Sequence, residues 1–268
     1  MVAAPVTPPP VASSNLLIGY ADIPNAAVTT TLSRAESSMY PYSNLFGGNR
    51  TDLFYLSTGA TGDTRATFDM GAAVSKSSNF LYIARANLLQ QASTNTITIK
   101  AGATNDYASA TTVRTLSSFT TQTLYGPNVD DHIESHTASS NFRYWFINYN
   151  TTAASLVPHA KVFLGTAFDT GRDPNAPATI TRVTQGGAQI RPTFSFDISW
   201  EGIAYSKAIE MYLKFYKTRR FVPLILFTTT WHDILMGHRA IFCRLTEMSM
   251  PPRVTDYCDI SATFEEMP

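Results

Sequence analysis

The sequence has few charged residues, few cysteines and no long apolar run. Charged residues make up 15% of the 268 positions, well below the usual quarter, and 20 acidic side chains balance 20 basic ones. This balance argues against a nucleic-acid partner, which requires a basic surface. No stretch approaches the roughly 18 consecutive apolar residues of a spanning helix, so we expect no membrane insertion.

Only two cysteines occur, Cys243 and Cys258. The sequence leaves open whether they pair, although free and buried thiols are commoner in a protein made inside a cell. Residues 1–14 are rich in proline and lack both a basic start and a continuous apolar stretch. We therefore expect a flexible arm there and no secretory signal.

Threonine, serine, asparagine and aromatic residues fill the space that charges leave, which is typical of β-structure with uncharged polar faces. Short Thr-rich segments separated by turn-forming residues predict a β-sandwich or jelly roll over residues 15–168. The predicted strands are Asn15–Tyr20, Thr29–Ser33, Thr64–Met70, Phe80–Asn87, Thr94–Ala101, Thr111–Thr115, Gln122–Tyr125, Phe142–Asn150 and Lys161–Ala167.

Residues 169–178 contain Gly171, Pro174 and Pro177, which are strong breakers of regular structure. The composition also changes there, from Thr- and Asn-rich to Phe-, Ile- and Met-rich. We predict a linker at 169–178, between the sandwich domain of residues 15–168 and a smaller assembly domain of residues 179–268.

The predicted C-terminal domain combines strands with one amphipathic helix. A period-2 alternation from Thr193 to Trp200 predicts a strand. Further strands are predicted at Val222–Thr229, Ala240–Glu247 and Tyr257–Glu265. Between them, one helical face carries Tyr205, Ala208, Ile209, Tyr212, Phe215 and Tyr216. The predicted fold class is therefore mainly β: an N-terminal jelly-roll sandwich followed by a smaller β-rich domain with one helix.

The sequence offers weak candidates for chemistry. In a strand, His132, Glu134 and His136 share one face and suit a divalent metal, but a solvated loop is the competing explanation. The segment from Asp169 to Asp173 resembles the start of a calcium loop but lacks its later glutamate. His232 and Asp233 are adjacent, so a strand would point them to opposite faces.

Carboxyl groups on adjacent residues would also point to opposite faces of a strand. Asp130 precedes Asp131, and Glu265 precedes Glu266. We therefore predict no enzyme, no cofactor and no metal site.

Aromatic residues give a different hypothesis. Phe142, Tyr144, Trp145, Phe146 and Tyr149 could line a sugar-binding surface, although alternation in a strand assigns about half of them to the core.

Two resemblances follow from particular segments. Residues 15–168 resemble the galactose-binding-like (discoidin-type) jelly roll. The resemblance is carried by three segments: Asn141–Tyr149, which contains an Arg-Tyr-Trp sequence, Pro158–Gly165 and Phe80–Leu88. The framing cysteines of the extracellular members are missing here. The resemblance implies a sandwich that presents its loops to a ligand or a neighbouring protein.

The C-terminal part resembles minor and distal tail proteins of tailed bacteriophages. The residues that carry the resemblance are Gln189–Phe196, the helix up to Tyr216, and the terminal segment Asp259–Pro268. What it implies is a non-enzymatic structural protein of the virion, in the tail tip, hub or fibre-attachment region, made in the host cytoplasm. Its partners would be copies of itself, neighbouring tail proteins and a host-surface glycan.

The predicted assembly surface comprises Tyr205, Tyr212, Lys214, Arg219 and Arg220. Two alternatives to a tail protein stay open at this point: a carbohydrate-binding module for host attachment, and a jelly-roll capsid or decoration protein. An N-terminal arm without Lys or Arg before Arg34 weighs against the capsid, because capsid arms often hold the genome with basic residues.

Overall fold

The computed structural model describes most of the strands and the connections between them. It describes residues 16–20, 22–33, 41, 44, 54–56, 62–84, 94–117, 132–137, 139–151, 157–159, 162–172, 174–175, 179–183, 193–218, 222–228, 240–251 and 256–267. The predicted strand Gln122–Tyr125 and residues His232 and Asp233 lie outside these ranges.

The described chain is mainly β, which confirms the predicted fold class. The strands are β1 (Leu16–Tyr20), β2 (Thr29–Leu32), β3 (Phe54–Leu56), β4 (Gly62–Asp69), β5 (Phe80–Ile83), β6 (Thr94–Gly102), β7 (Thr111–Leu116), β8 (His132–Ser135), β9 (Tyr144–Thr151), β10 (Val157–His159), β11 (Val162–Asp169), β12 (Thr179–Val183), β13 (Thr193–Ala204), β14 (Pro223–Thr228), β15 (Ala240–Met248) and β16 (Tyr257–Glu266). The helices are α1 (Ile23–Ala26) and α2 (Tyr205–Met211), and α2 continues as a π-helical segment over Tyr212–Lys217.

The described strands form three antiparallel sheets. The largest has nine strands in the order β12-β13-β16-β15-β14-β1-β11-β5-β8, the second has five in the order β2-β4-β9-β6-β7, and β10 pairs with β3. Strand β1 lies between β14 and β11 and therefore joins strands from both sides of the predicted linker. The domain boundary at 169–178 stays a prediction.

The five-stranded sheet and one end of the nine-stranded sheet form the sandwich. Its core is made by residues of β4, β6, β7 and β9 facing residues of β5 and β11. Trp145 and Ile147 alternate inward from β9, and Leu81 and Leu164 meet them from the opposite sheet. These side chains are fully buried.

The helix covers the other end of the same sheet face. Ala208, Met211 and Phe215 pack against β1, β13, β14, β15 and β16, and the three predicted tyrosines lie half-buried at the edge of this cluster. The helical stripe predicted from the sequence is therefore the buried face. Met211 belongs to it as well, whereas Ile209 is only half-buried.

The strand before the helix is longer than the alternation predicts. It continues past Trp200 to Ala204, with a bulge between Trp200 and Ile203. Gly202 supplies the bulge with a positive φ of 61°, a conformation that side-chain-bearing residues adopt with strain. The Gly202 N–H donates to Asp259 Oδ1 at 2.8 Å, and Arg172 Nη1 donates to Gly202 O at 3.2 Å.

The cysteines are far apart. Cys243 is opposite Glu266 in the β15–β16 pair, while Cys258 lies near the start of β16. At about 3.4 Å per residue, the separation along β16 is roughly 27 Å, which excludes a disulfide. Both thiols are free and buried, and burial raises the pKa of each. No helix in the described part of the chain has the length and apolar character needed to cross a bilayer.

Candidate functional site

Three of the five predicted assembly residues, those that the structure describes, make contacts within the chain. Tyr205 and Tyr212 pack against the helix-side core. Lys214 Nζ donates to Glu210 Oε1 at 3.0 Å and to the Tyr20 hydroxyl at 3.3 Å. Arg219 and Arg220 lie outside the described residues. The proposed assembly role of this set stays a prediction.

The histidine-rich segment forms an edge strand and not a solvated loop. His132–Ser135 is β8, paired with β5. His136 follows it and is buried, with its Nε2 3.2 Å from Ser78 Oγ, and its backbone N–H donates to Asn79 O at 2.8 Å. In the portion of the chain that the structure describes, no three His, Cys, Asp or Glu side chains gather as metal ligands would. His136 therefore anchors the edge of the sheet.

The calcium-like segment is a turn. Asp169 Oδ1 accepts a hydrogen bond from the Gly171 N–H at 2.8 Å, and Gly171 has a φ of 76°. This is the side-chain-to-backbone bond that aspartate makes in tight turns. Thr170 closes the turn, since its single hydroxyl hydrogen is shared between Arg172 O at 2.8 Å and Leu16 O at 3.0 Å.

The aromatic residues of β9 divide between the two faces of the sheet as the alternation predicts. Trp145 and Tyr149 belong to the sandwich core, and burial raises the pKa of the Tyr149 hydroxyl. Tyr144 and Phe146 point to the outer face of the five-stranded sheet. Phe142 is half-buried and lies edge-on to Trp145, with ring centres 6.3 Å apart.

The outer face of the five-stranded sheet brings together a cluster that we call the outer strip. It consists of Arg65 from β4, Lys100 from β6, Phe146 and Asn148 from β9, and Tyr107 from the β6–β7 hairpin. Register places Arg65 opposite Asn148 and Lys100 opposite Phe146. Because these strands are adjacent in the sheet, side chains distant in sequence meet on one surface.

Tyr107 organises the outer strip. Its ring lies edge-on to Phe146, with centroids 5.8 Å apart. Arg65 Cζ is 4.5 Å from the centre of the Tyr107 ring, and Lys100 Nζ is 4.4 Å from it. Lys100 Nζ also donates to Tyr107 O at 3.2 Å. The attraction of each cation to the ring, together with this bond, fixes both charges at the surface.

The hairpin that carries Tyr107 is held by its own hydrogen bonds. Asp106 Oδ1 accepts from the Ala108 N–H at 3.0 Å. The pKa of the Asp106 carboxyl lies below its usual range because Ser109 and the Ala108 N–H donate to it and the positive charge of Arg65 lies nearby. Asp106 is thus ionised at neutral pH and offsets part of the positive charge of the outer strip.

Asn148 has an unsatisfied acceptor. Its side chain is on the outer face because Ile147 and Tyr149, its neighbours, point into the core. The residue is 4% exposed, and its Oδ1 has no hydrogen-bond partner in the described part of the structure. A buried acceptor left without a donor costs about 1–3 kcal/mol. Because the oxygen itself is buried, a ligand at the surface does not reach it, and the cost belongs to the fold.

One end of the same face carries an ion pair. Arg143 donates Nε to Asp69 Oδ1 at 2.8 Å and Nη2 to Asp69 Oδ2 at 2.9 Å, and its Cζ lies 4.7 Å from the Tyr144 ring centre. The hydrogen bond from Arg143, helped by the Gly71 N–H, lowers the pKa of Asp69. In the Arg-Tyr-Trp segment that carries the sequence resemblance, Arg143 and Tyr144 therefore make contacts that stabilise the fold. Trp145 follows them and lies in the sandwich core.

Sequence reasoning did not single out Arg65, Lys100 or Tyr107. A signal for the first two exists, since each is a charge at an outward position of a Thr-rich alternating strand. No comparable signal exists for Tyr107, because its position depends on how the hairpin folds back over the sheet.

Similarity to known proteins was found among solved structures, over about half of this chain. No protein-family model matches the sequence, and no curated protein matches it. Among solved structures, the chain is similar to chitosan-binding module 1 of a chitosanase/glucanase from Paenibacillus sp. IK-5, at 17% identity and a TM-score of 0.39, covering 54% of this chain and 98% of that one.

A second similar structure is the family 32 carbohydrate-binding module of NanJ from C. perfringens in complex with galactose, at 12% identity and a TM-score of 0.38, covering 56% and 99%. A third is the Ruminococcus gnavus GH29 fucosidase E1_10125 in complex with fucose, at 12% identity and a TM-score of 0.42. That similarity covers 55% of this chain but only 27% of the fucosidase. At these TM-scores the similarities assign no function to this chain.

Proposed function

We propose that this chain is a non-catalytic carbohydrate-binding protein whose outer strip contacts the sugar. The observation that carries the proposal is the meeting of an aromatic ring and two cations on one sheet face. Arg65 and Lys100 are donors, and the Tyr107 hydroxyl can both donate and accept. Together they match the alternating donors and acceptors of a sugar's hydroxyl groups.

The outer strip is preorganised for this task. Tyr107 is held by Phe146 on one side and by two cations, so little side-chain freedom is lost when a ligand binds. The polar tips of these residues would set the orientation of a bound sugar.

A glycan array probed with the full-length chain tests the proposal. We expect binding to a defined group of glycans, and loss of that binding when Tyr107→Ala removes the ring that positions both cations. Thermal unfolding of the variant shows whether its fold is kept. No binding to any glycan at high protein concentration contradicts the proposal.

A second candidate function rests on a different observation. Six large hydrophobic side chains are exposed among the described residues, and the C-terminal part carries four of them: Leu213, Val222, Met250 and Tyr257. Exposed aromatic and aliphatic residues of this kind are enriched at protein–protein interfaces. They support assembly of this part into a larger particle, as the resemblance to phage tail proteins implies.

In that role the protein is a structural component of a tailed-phage virion, located in the tail and joined to copies of itself and to tail proteins. The two roles are compatible, because a tail protein can also hold a host-surface glycan. Immunogold labelling of purified particles tests the location, with label at the tail as the expected result. Label on no part of a particle contradicts it.

A further inference from the structure

Strands β13 and β16 present a polar surface on the side of the nine-stranded sheet that lies opposite the helix. Their side chains alternate, and those that point towards the helix, such as Ile198 and Ile260, are buried in its core. The residues between them are polar and mostly exposed. Four exposed acidic residues lie on these two strands and on the adjacent β15, and we call them the acidic face: Asp197, Glu201, Glu247 and Asp259.

Strand register and hydrogen bonds bring the acidic face together. Thr263 lies opposite Asp197 in one pair of strands and opposite Glu247 in the next. Its Oγ1 donates to Asp197 Oδ1 at 2.6 Å. In the bulge that contains Glu201, Asp259 Oδ1 accepts from the Gly202 N–H. The four carboxyl groups therefore belong to one continuous surface.

The acidic face keeps a net negative charge. Arg244, which is on the same side of the sheet, is paired with Glu265 at 2.7 Å. Arg172 donates Nη1 to Gly202 O at 3.2 Å. With Glu265 included, five acidic residues stand against these two arginines. Among the described residues, no lysine or arginine forms an ion pair with any member of the acidic face.

The helix on the other side of the sheet has the opposite charge. Lys207 and Lys214 share one carboxylate, that of Glu210, at 3.8 and 3.0 Å. Lys217 is exposed and lies 5.9 Å from the Tyr212 ring centre, and a ring attracts a cation without neutralising it. Leu213 precedes Lys217 by one helical turn and is 52% exposed. We call Lys207, Leu213 and Lys217 the basic face, on a helix where three lysines stand against one glutamate.

From these observations we infer that the acidic face of one copy of this chain docks on the basic face of a second copy. The charges of the two faces are complementary, in a protein whose overall charge is zero. Each face also has a large exposed hydrophobic side chain, since Tyr257 next to the acidic face is 64% exposed. This inference rests on the proposed assembly role and names the surfaces through which the copies meet.

The placement of the two faces determines the form of the assembly. The helix and the acidic face lie on opposite sides of the nine-stranded sheet, as the burial of Ile198 and Ile260 beneath the helix shows. Each copy can therefore take one neighbour on each side. Contacts of this head-to-tail kind produce a ring or an open stack.

Sedimentation velocity of the full chain tests the inference. We expect association beyond a dimer in about 0.05 M salt, and association at least about tenfold weaker in about 0.5 M salt, because salt screens exposed charges. A chain that stays monomeric at high protein concentration in low salt overturns the inference. A species that stops at a dimer overturns it as well.

Charge reversals locate the contact. Glu247→Lys alters the acidic face and Lys217→Glu alters the basic face, and each should weaken association at least about tenfold because like charges then meet. Lys76→Glu is the matched control, since Lys76 pairs with Phe142 in the sandwich and belongs to neither face. It should associate like the unaltered chain. Glu201→Lys replaces Glu247→Lys if that variant does not fold.

A mixture of the two variants gives the sharpest result. The basic face of the Glu247→Lys chain and the acidic face of the Lys217→Glu chain are both unaltered, so one intact contact forms between the two chains. We expect mixed pairs with the affinity of the original contact, whereas each variant alone associates weakly. A mixture of folded variants that associates no better than either variant alone overturns the inference.

The outcomes separate this inference from the functions proposed above. Association that neither reversal weakens shows that the copies meet through other surfaces, and it overturns the inference alone. A monomeric chain together with label at the tail overturns the inference and leaves the tail location in place. Salt-dependent association with label on no part of a particle overturns the location and keeps the inference. The glycan array is independent, because neither face includes a residue of the outer strip.

Discussion

Two parts of the molecule cover the same face of one nine-stranded sheet, and they use their cations differently. On the helix side, Lys207 Nζ and Lys214 Nζ lie 4.6 and 5.0 Å from the Phe168 ring centre. Both also pair with Glu210. On the sandwich side, Arg65 and Lys100 flank Tyr107 without a carboxylate partner in the described structure.

The pKa of Lys214 shows what the helix-side contacts do. Burial lowers its pKa, but the hydrogen bond from Lys214 to Glu210 and the contacts with Tyr20 more than offset this, so the pKa lies above its usual value. The charge is thus used inside the fold to hold the helix against β1. A carboxylate completes the cation–aromatic contacts on the helix side, whereas none of the described residues completes those of the outer strip.

The largest loss of stability that we expect comes from a substitution in the core that the helix covers. Phe215 is buried and lies edge-on to Tyr20 and Phe168, with centroids 5.4 and 5.3 Å away. Phe215→Ala should lower the free energy of unfolding by about 3–5 kcal/mol, measured by urea unfolding. Leu213→Ala is the control, since Leu213 is 52% exposed on the same helix. Equal losses for the two variants would show that the helix is not packed as described.

A smaller loss of stability is expected for a substitution in β1, the strand that lies between the sandwich side and the helix side of the nine-stranded sheet. Gly19 lies in β1, and a Cβ there would be 2.5 Å from Phe80 Cε1. Because Phe80 is fully buried, its ring has little room to move. Gly19→Ala should cost about 1–3 kcal/mol, as overpacked cores do. The matched control is Gly102→Ala, whose Cβ would meet nothing closer than 3.5 Å. If Gly19→Ala is as stable as this control, Phe80 does not pack against β1 at Gly19 as described.

The smallest expected effect is on the way in which the stability of the fold depends on pH. The pKa of Asp69 is lowered below 3.8 in the folded chain, so its bond to Arg143 stabilises the fold above that pH and is lost as the pH falls through the folded-state value. Asp69→Asn keeps an acceptor for the Gly71 N–H but removes the charge. The difference in urea midpoint between the two proteins should be constant from about pH 5 upwards and shrink below about pH 4. A difference that grows towards acid would contradict the ion pair.

Local patterns in the sequence predicted the elements well. The alternation of β9 predicted that about half of its aromatic residues lie in the core, and the structure places Trp145 and Tyr149 there. The helical spacing identified the buried stripe around Phe215. These features depend on neighbours a few residues apart, and burial of one face determines them. The one-turn helix α1 carries Pro24 at its start, and proline at the first helical positions gives the same sequence signal as proline in a turn.

Long-range pairing was not predictable in the same way. The edge strand β8 has polar, charged residues, and only its pairing with β5 makes it a strand. The outer strip depends on the order β4-β9-β6, which places Arg65 beside Asn148 although they are far apart in the sequence. The sequence shows that Arg65 and Lys100 are present, but it does not show that both lie over the Tyr107 ring.

The most direct test of the central claim compares two tyrosines, one from each part. Tyr107 holds the cations of the outer strip, and Tyr212 packs beside Tyr216 on the helix, with ring centres 5.3 Å apart. Calorimetric titration with the glycan that binds best on the array should show an affinity at least roughly tenfold lower for Tyr107→Ala. Tyr212→Ala should bind like the unaltered chain. Unchanged binding by a folded Tyr107→Ala variant would contradict the assignment of the outer strip as the sugar site.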